Sequence, residues 1–112
     1  MLSKSKILFF FGALFSFQVL ASGTVLIDGK DIKSRDSLHH LIAKKLNFTQ
    51  GYTKSSESLY DILSSDFRGD SIIKFKHLSI LKAKLGTDYI ENFVQAIENA
   101  SVDNNRIVLL LE

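Results

Sequence analysis

The strongest constraint on the fold is an apolar segment near the end of the sequence. Residues 107–111 read Ile-Val-Leu-Leu-Leu, and no polar residue alternates with the apolar ones. Such a run is typical of a strand that is buried on both faces, in a parallel sheet covered by helices. Parallel strands need crossover connections, and these are usually helices. The segment therefore predicts an α/β domain in which strands and helices alternate.

Two other segments have strand character, and helical patterns separate the three. Residues 24–27 are β-branched or apolar and precede an Asp-Gly turn signal, while residues 71–75 form a second β-rich run. Apolar residues recur at helical spacing in four places. These stripes are Leu38, Leu41, Ile42 and Leu46; Leu59, Ile62 and Leu63; Leu78, Leu81 and Leu85; and Ile90, Phe93, Val94 and Ile97. The order predicts a small three-stranded parallel sheet packed with about four helices.

Polar residues and one glycine indicate where these helices begin and end. Side chains that accept a hydrogen bond from the first turn are preferred at helix starts. Gly86 is suited to end the third helix, because glycine tolerates the left-handed backbone found there. The candidate caps are Ser34 or Asp36 for the first helix, Ser55 or Ser56 for the second, and Asp88 with Glu91 as a capping box for the fourth.

The first 21 residues differ in kind from the rest. Lys4 and Lys6 precede an apolar run over residues 7–20, and small residues at positions 19 and 21 suit a cleavage site. A retained membrane anchor is the alternative, but it needs roughly 20 apolar residues and this run is shorter. We expect residues 1–21 to be a cleaved signal peptide and residues 22–112 to form one domain. That domain is expected in the periplasm or outside the cell, without membrane attachment.

The composition of the exported part limits its function. It has no cysteine, so stability must come from the core and not from disulfides. Removing Lys4 and Lys6 from the 14 basic residues leaves 12, equal to the 12 acidic residues. A neutral bulk charge does not favour nucleic acid or an anionic membrane as the partner. Any electrostatic function must therefore lie in a local patch.

Motifs for catalysis or for cofactor binding are not found. The sequence has no glycine-rich phosphate loop, no HExxH, no calcium loop and no nucleophile elbow. His39 and His40 are neighbours on a predicted helix, so they point about 100° apart and do not form a metal pair. We expect no enzyme activity, no metal and no cofactor. The alternative is a small hydrolase that uses His39 or His40 with Glu57.

Two carboxylates form the most distinctive local pattern. Glu57 and Asp61 are four residues apart on the second predicted helix, so they share one face. Asp66 and Asp70 follow them. Tyr52 precedes the pair and Tyr60 lies directly before Asp61, and aromatic residues are frequent anchors at protein interfaces. The pattern indicates either a solvated acidic helix face or a surface that docks onto a cationic site.

These residues resemble the barstar family, whose members inhibit a bacterial guanyl-specific ribonuclease. The likeness covers nearly the whole domain. Residues 27–29 and 32–34 resemble the family's first strand and turn, and residues 38–46 resemble its first helix. Residues 52–61 resemble its binding loop and second helix, and residues 91–112 its last helix and strand.

The resemblance implies a site and a partner. Asp61 would enter the phosphate site of the nuclease, Glu57 would pair with enzyme cations or backbone donors, and Tyr52 and Tyr60 would pack at the rim. The residues implied in partner binding are Asp61, Glu57, Tyr60, Tyr52, Ser55, Lys54 and Glu98. The expected protein is a monomeric, periplasmic or secreted inhibitor of a microbial ribonuclease of guanyl-specific type. An immunity or interaction protein for a different toxin or enzyme is the alternative.

Overall fold

The computed structural model describes residues 23–48, 51–67 and 69–112, and it confirms the predicted α/β fold. The elements, in chain order, are β1 (Gly23–Asp28), α1 (Arg35–Lys45), α2 (Ser56–Asp61), a π-helical turn (Ile62–Asp66), β2 (Ser71–Lys76), α3 (Leu78–Leu85), α4 (Thr87–Asp103) and β3 (Ile107–Leu111). The predicted signal peptide lies outside the described residues. Within them, no helix is long and apolar enough to cross a membrane.

The sheet has three parallel strands in the order β1-β2-β3. Both connections step across the sheet in the same direction, and crossovers of this kind are right-handed. Both crossovers therefore pass over the same face of the sheet. On that face Val25, Ile27, Ile73, Phe75 and Ile107 are buried.

No element of the described part of the chain covers the opposite side of the sheet, and we call this side the bare face. In register along it lie Thr24, Ile72 and Val108, followed by Leu26, Lys74 and Leu110. Val108 is 46% exposed and Leu110 45% exposed. The prediction that residues 107–111 are buried on both faces is therefore wrong. The topology explains the error, because neither crossover supplies a helix to this side.

The predicted apolar stripes of the helices cover the face of the sheet opposite the bare face. Leu38, Ile42 and Leu46 are buried on the α1 side, with Leu41 half-buried. Leu81 and Leu85 of α3 are also buried, as are Ile90, Phe93, Val94 and Ile97 of α4. The side chains of these helices and of the sheet form one core.

The helix starts were predicted only in part. Ser34 caps α1 in a capping box with Ser37, and Ser55 caps α2, which settles both open alternatives. The predicted capping box of Asp88 and Glu91 is wrong. Gly86, with φ of +106°, separates α3 from α4 directly, so α4 begins at Thr87 and Asp88 lies inside its first turn.

Candidate protein-binding site

Helix α2 presents the two predicted carboxylates to solvent. Leu59 is fully buried on its inner side, where α2 packs against α4, while Glu57 and Asp61 are exposed. Neither carboxylate belongs to an ion pair within the described part of the chain. No cation of that part of the chain therefore pairs with their negative charges.

A π-helical turn follows Asp61 directly. Phe67 N–H donates to the Ile62 carbonyl over five residues, at 2.8 Å. The Ser65 hydroxyl donates to the Asp61 carbonyl at 2.6 Å. Ile62 and Leu63 are buried in this segment, so the backbone after Asp61 is fixed by packing as well as by hydrogen bonds. This support orients the end of α2 that carries Asp61.

The loop before α2 is held by a buried serine. Ser58 is 9% exposed, and its hydroxyl donates to the Gly51 carbonyl at 3.0 Å. The same oxygen accepts a hydrogen bond from Thr53 N–H, also at 3.0 Å. Ser55 accepts from the Ser58 backbone N–H at 3.1 Å and hydrogen-bonds the Thr53 hydroxyl at 3.2 Å. Ser55, a predicted binding residue, thus has a structural role in shaping the loop.

We expect Ser58→Ala to lower the free energy of unfolding by about 1–2 kcal/mol, because it leaves the Gly51 carbonyl and the Thr53 N–H without this partner. Urea unfolding measures the change. Ser56→Ala is the matched control, since Ser56 makes no side-chain hydrogen bond within the described residues, and it should change the value by less than about 0.5 kcal/mol. Equal effects of the two substitutions would contradict the role of Ser58.

Tyr52 anchors the same loop to the interior. His39, on α1, is 2% exposed, and its two ring nitrogens hydrogen-bond the hydroxyls of Tyr52 and Tyr89. The ring of Tyr52 also packs edge-on against Phe48, with centroids 5.1 Å apart. Burial raises the pKa of the Tyr52 hydroxyl, so it stays protonated. Tyr52 therefore joins the loop to α1, and His39 continues the connection to Tyr89 of α4.

We expect stability to fall on mild acidification because of His39. Burial holds its pKa below the ordinary value of 6.5. As the pH drops below about 6.5, the unfolded chain takes up a proton at this residue before the folded chain does, which favours unfolding. This loss ends once the pH passes the lowered pKa of the folded state. Urea unfolding between about pH 5 and pH 8 measures it.

The neighbouring histidine provides the control for this prediction. His40 is exposed, so His40→Gln should keep the pH dependence of the wild-type protein. His39→Gln should remove most of it, since glutamine does not titrate. A slope that persists unchanged in His39→Gln would assign the effect to another group.

Lys54 adopts a backbone conformation that its residue type disfavours. Its φ is +60°, in the left-handed region. The other non-glycine residues with positive φ in the described ranges are Asn47 and His77, which belong to types enriched there. For a lysine, the left-handed backbone conformation is about 1–2 kcal/mol less favourable than the right-handed one. Backbone preference therefore does not explain why a lysine occupies position 54.

The Lys54 ammonium group is directed toward α1. Its Nζ donates to Asp36 Oδ1 at 2.7 Å, and this contact lowers the pKa of the Asp36 carboxyl. The two side chains are 54% and 74% exposed. An ion pair this exposed contributes little to stability. Stability alone therefore does not account for a lysine here.

Tyr60 reaches a carboxylate that sequence reasoning missed. Its hydroxyl donates to Asp103 Oδ2, at the end of α4, and this contact raises the pKa of the Tyr60 hydroxyl. One feature of the sequence could have predicted a role for Asp103. An acidic residue in the last turn of a helix is unfavourable to the helix dipole, so its presence there indicates a tertiary role.

A scan against protein-family models matches residues 23–111 to the family described as barstar (barnase inhibitor). The chain belongs to the barstar family. No curated protein matches the chain in a sequence search. Members of the barstar family are inhibitors and not enzymes.

This barstar-family domain brings most of the predicted site residues into one region. The segment from Tyr52 to Asp61 forms the loop and α2, and Asp103 joins it through Tyr60. Glu98 lies elsewhere. It is about 140° from Asp103 around α4 and lines a groove with Ser101 and β3.

Asp70 belongs to an ion pair outside this region, whereas His39 is buried in contact with Tyr52. Asp70 Oδ1 lies 3.4 Å from the Nη1 atom of Arg106. The side chain of Asp66 is not among those described.

Both ring nitrogens of His39 are occupied by tyrosines, so neither is free to act with Glu57. His40, the other histidine of the hydrolase alternative, is exposed on α1. In the described ranges no group of three or more His, Cys, Asp or Glu side chains is arranged to hold a metal.

Proposed function

We propose that this protein is an exported inhibitor of a microbial ribonuclease and that it occludes the active site with the loop and α2. The observation that carries the proposal is the pair of exposed carboxylates on α2, Glu57 and Asp61, which have no intramolecular ion pair in the described part of the chain. A ribonuclease site contains cations that bind phosphate, and fixed carboxylates can satisfy them. Because a carboxylate offers no phosphodiester bond, the enzyme is blocked without a reaction.

The rigidity of the site supports this proposal. Two separate contacts hold the loop: Tyr52 with His39, and Ser58 with the loop backbone. A surface that is already ordered loses less conformational freedom on binding, so more of its interaction energy appears as affinity. This matches what an inhibitor must do, which is to compete with substrate without first folding.

The test is a panel of purified guanyl-specific ribonucleases, assayed for RNA cleavage with and without the mature protein, residues 22–112. We expect at least one enzyme to be inhibited stoichiometrically, with an association rate that falls as salt is added. If no enzyme of the panel is bound or inhibited, the proposal is wrong.

The same acidic surface would serve an immunity protein for a different toxin, so the partner must also be sought without assuming a nuclease. Affinity capture from periplasmic extract is run in parallel with wild-type protein and with Asp61→Ala. A ribonuclease retained by the wild type alone supports the proposal. A different toxin retained in that pattern replaces it.

The proposed export has its own measurement. Lys4, Lys6 and the apolar run over residues 7–20 support a signal peptide. After cell fractionation, we expect the protein outside the cytoplasm. N-terminal sequencing of that protein should begin at Ser22. Intact Met1 in the cytoplasmic fraction would contradict export.

A further inference from the structure

Lys54 is the one cation in the segment that carries the acidic site. It lies two residues after Tyr52 and three before Glu57, and half of its side chain is exposed. Its backbone conformation disfavours lysine, and its ion pair with Asp36 does not compensate for that. Glycine or asparagine would suit the fold better at this position. The charge therefore calls for an explanation outside the stability of the free protein.

The contact with Asp36 also keeps the Lys54 ammonium group from pairing with Glu57. A lysine three residues before a glutamate at a helix start has the reach to pair with it, because its stem is long and flexible. Instead, Nζ lies 2.7 Å from Asp36 Oδ1, on the α1 side. Among the described residues Glu57 and Asp61 have no ion pair, and the half-exposed side chain of Lys54, paired with Asp36, lies beside them in the same segment. The same surface thus carries exposed carboxylates and a half-exposed lysine.

We infer that Lys54 selects the partner: the nuclease bound by this protein carries an aspartate or glutamate at the rim of its cationic cleft, where Lys54 meets it. An enzyme whose rim is basic at that point would be repelled, and like charges placed opposite each other at an interface are strongly unfavourable. The inference rests on the proposed function and adds the chemistry of the partner surface. Lys54 would then determine specificity, while Glu57 and Asp61 supply the attraction to the phosphate site.

The experiment uses the ribonuclease of the panel that the wild-type protein inhibits most tightly. Dissociation constants are measured for wild type, Lys54→Met, Lys54→Glu and Asp61→Asn. Methionine keeps most of the side-chain length without the charge. We expect Lys54→Glu to weaken this complex about tenfold or more, with Lys54→Met between it and the wild type. Enzymes of the panel that have a basic rim should instead bind Lys54→Glu more tightly than the wild type.

A double-mutant cycle locates the partner group. Each rim aspartate or glutamate of the enzyme is changed to its amide and combined with Lys54→Met. One of them should show coupling with Lys54, and the others should be additive. If none is coupled, the inference is overturned.

The outcomes separate this inference from the proposed function. If Asp61→Asn weakens the complex while Lys54→Glu leaves it unchanged or tightens it, the inhibitor function stands and the role of Lys54 is wrong. If no enzyme is bound by the wild type, both are wrong. Thermal unfolding of Lys54→Gly tests the premise, because glycine adopts the left-handed backbone freely. A clear drop in its Tm would make Lys54 a structural residue and overturn the inference.

Discussion

Replacing Asp61 with alanine is expected to weaken binding to the target ribonuclease by about 2 kcal/mol or more, which is roughly 30-fold in Kd. Asp61 is exposed at the end of α2, and the π-helical turn and its buried residues fix the backbone that follows it. A carboxylate placed in a phosphate site replaces the substrate's own charge. Its removal leaves enzyme cations buried at the interface without a partner, and that cost adds to the lost attraction.

Glu91→Ala is the matched control for Asp61→Ala. It removes the same charge from an exposed position on α4, where Glu91 lies 3.4 Å from Lys82 Nζ. Stopped-flow association and dissociation rates should separate the two. Glu91→Ala should change only the salt-dependent association rate, and slightly, whereas Asp61→Ala should also increase the dissociation rate. An unchanged dissociation rate for Asp61→Ala would remove this residue from the site.

Replacing Phe93 with alanine is expected to lower the free energy of unfolding by about 3–5 kcal/mol. Phe93 is fully buried on α4, and its ring lies 5.3 Å from that of His39 and 6.2 Å from that of Phe75, between centroids. It therefore joins the core of the sheet to the residues that anchor the binding loop. Alanine would leave a cavity where α1, α4 and β2 meet. A small domain has only about 5–15 kcal/mol of stability in total, so the loss is a large share.

Urea unfolding should show the Phe93→Ala midpoint shifted with little change of slope. Val102→Ala is the control on the same helix, because Val102 is 80% exposed, and it should change stability by less than about 0.5 kcal/mol. A loss below about 1 kcal/mol for Phe93→Ala would mean that the core closes around the missing ring.

Local patterns explain which features were predictable from the sequence. The stripe of Ile90, Phe93, Val94 and Ile97 predicts a helix and its buried side, and both are observed. The run over residues 107–111 predicts a strand but does not reveal how many of its faces are covered. That depends on the direction of the crossovers, which no single segment contains. The exposure of Val108 follows from topology and not from its residue type.

The site shows the same division between local and tertiary information. The spacing of Glu57 and Asp61 predicts a shared face, because four residues make about one helical turn. The contacts of the flanking tyrosines were not predictable in this way. Tyr60 contacts Asp103, 43 residues further along the chain, and Tyr52, in the loop, contacts His39 on α1. Hydroxyl partners of this kind are fixed only when the helices pack.

The bare face has a consequence for how this protein aggregates when it is concentrated or heated. β3 has β2 as its neighbour on one side, and its five residues, Ile107–Leu111, include no lysine and no proline to discourage a further strand. Within residues 23–48, 51–67 and 69–112 no strand pairs with the other edge of β3, and the apolar side chains of the bare face lie beside that edge. Sheet growth from molecule to molecule is therefore the expected route to aggregation, and it would begin on the side of the fold that the helices leave open.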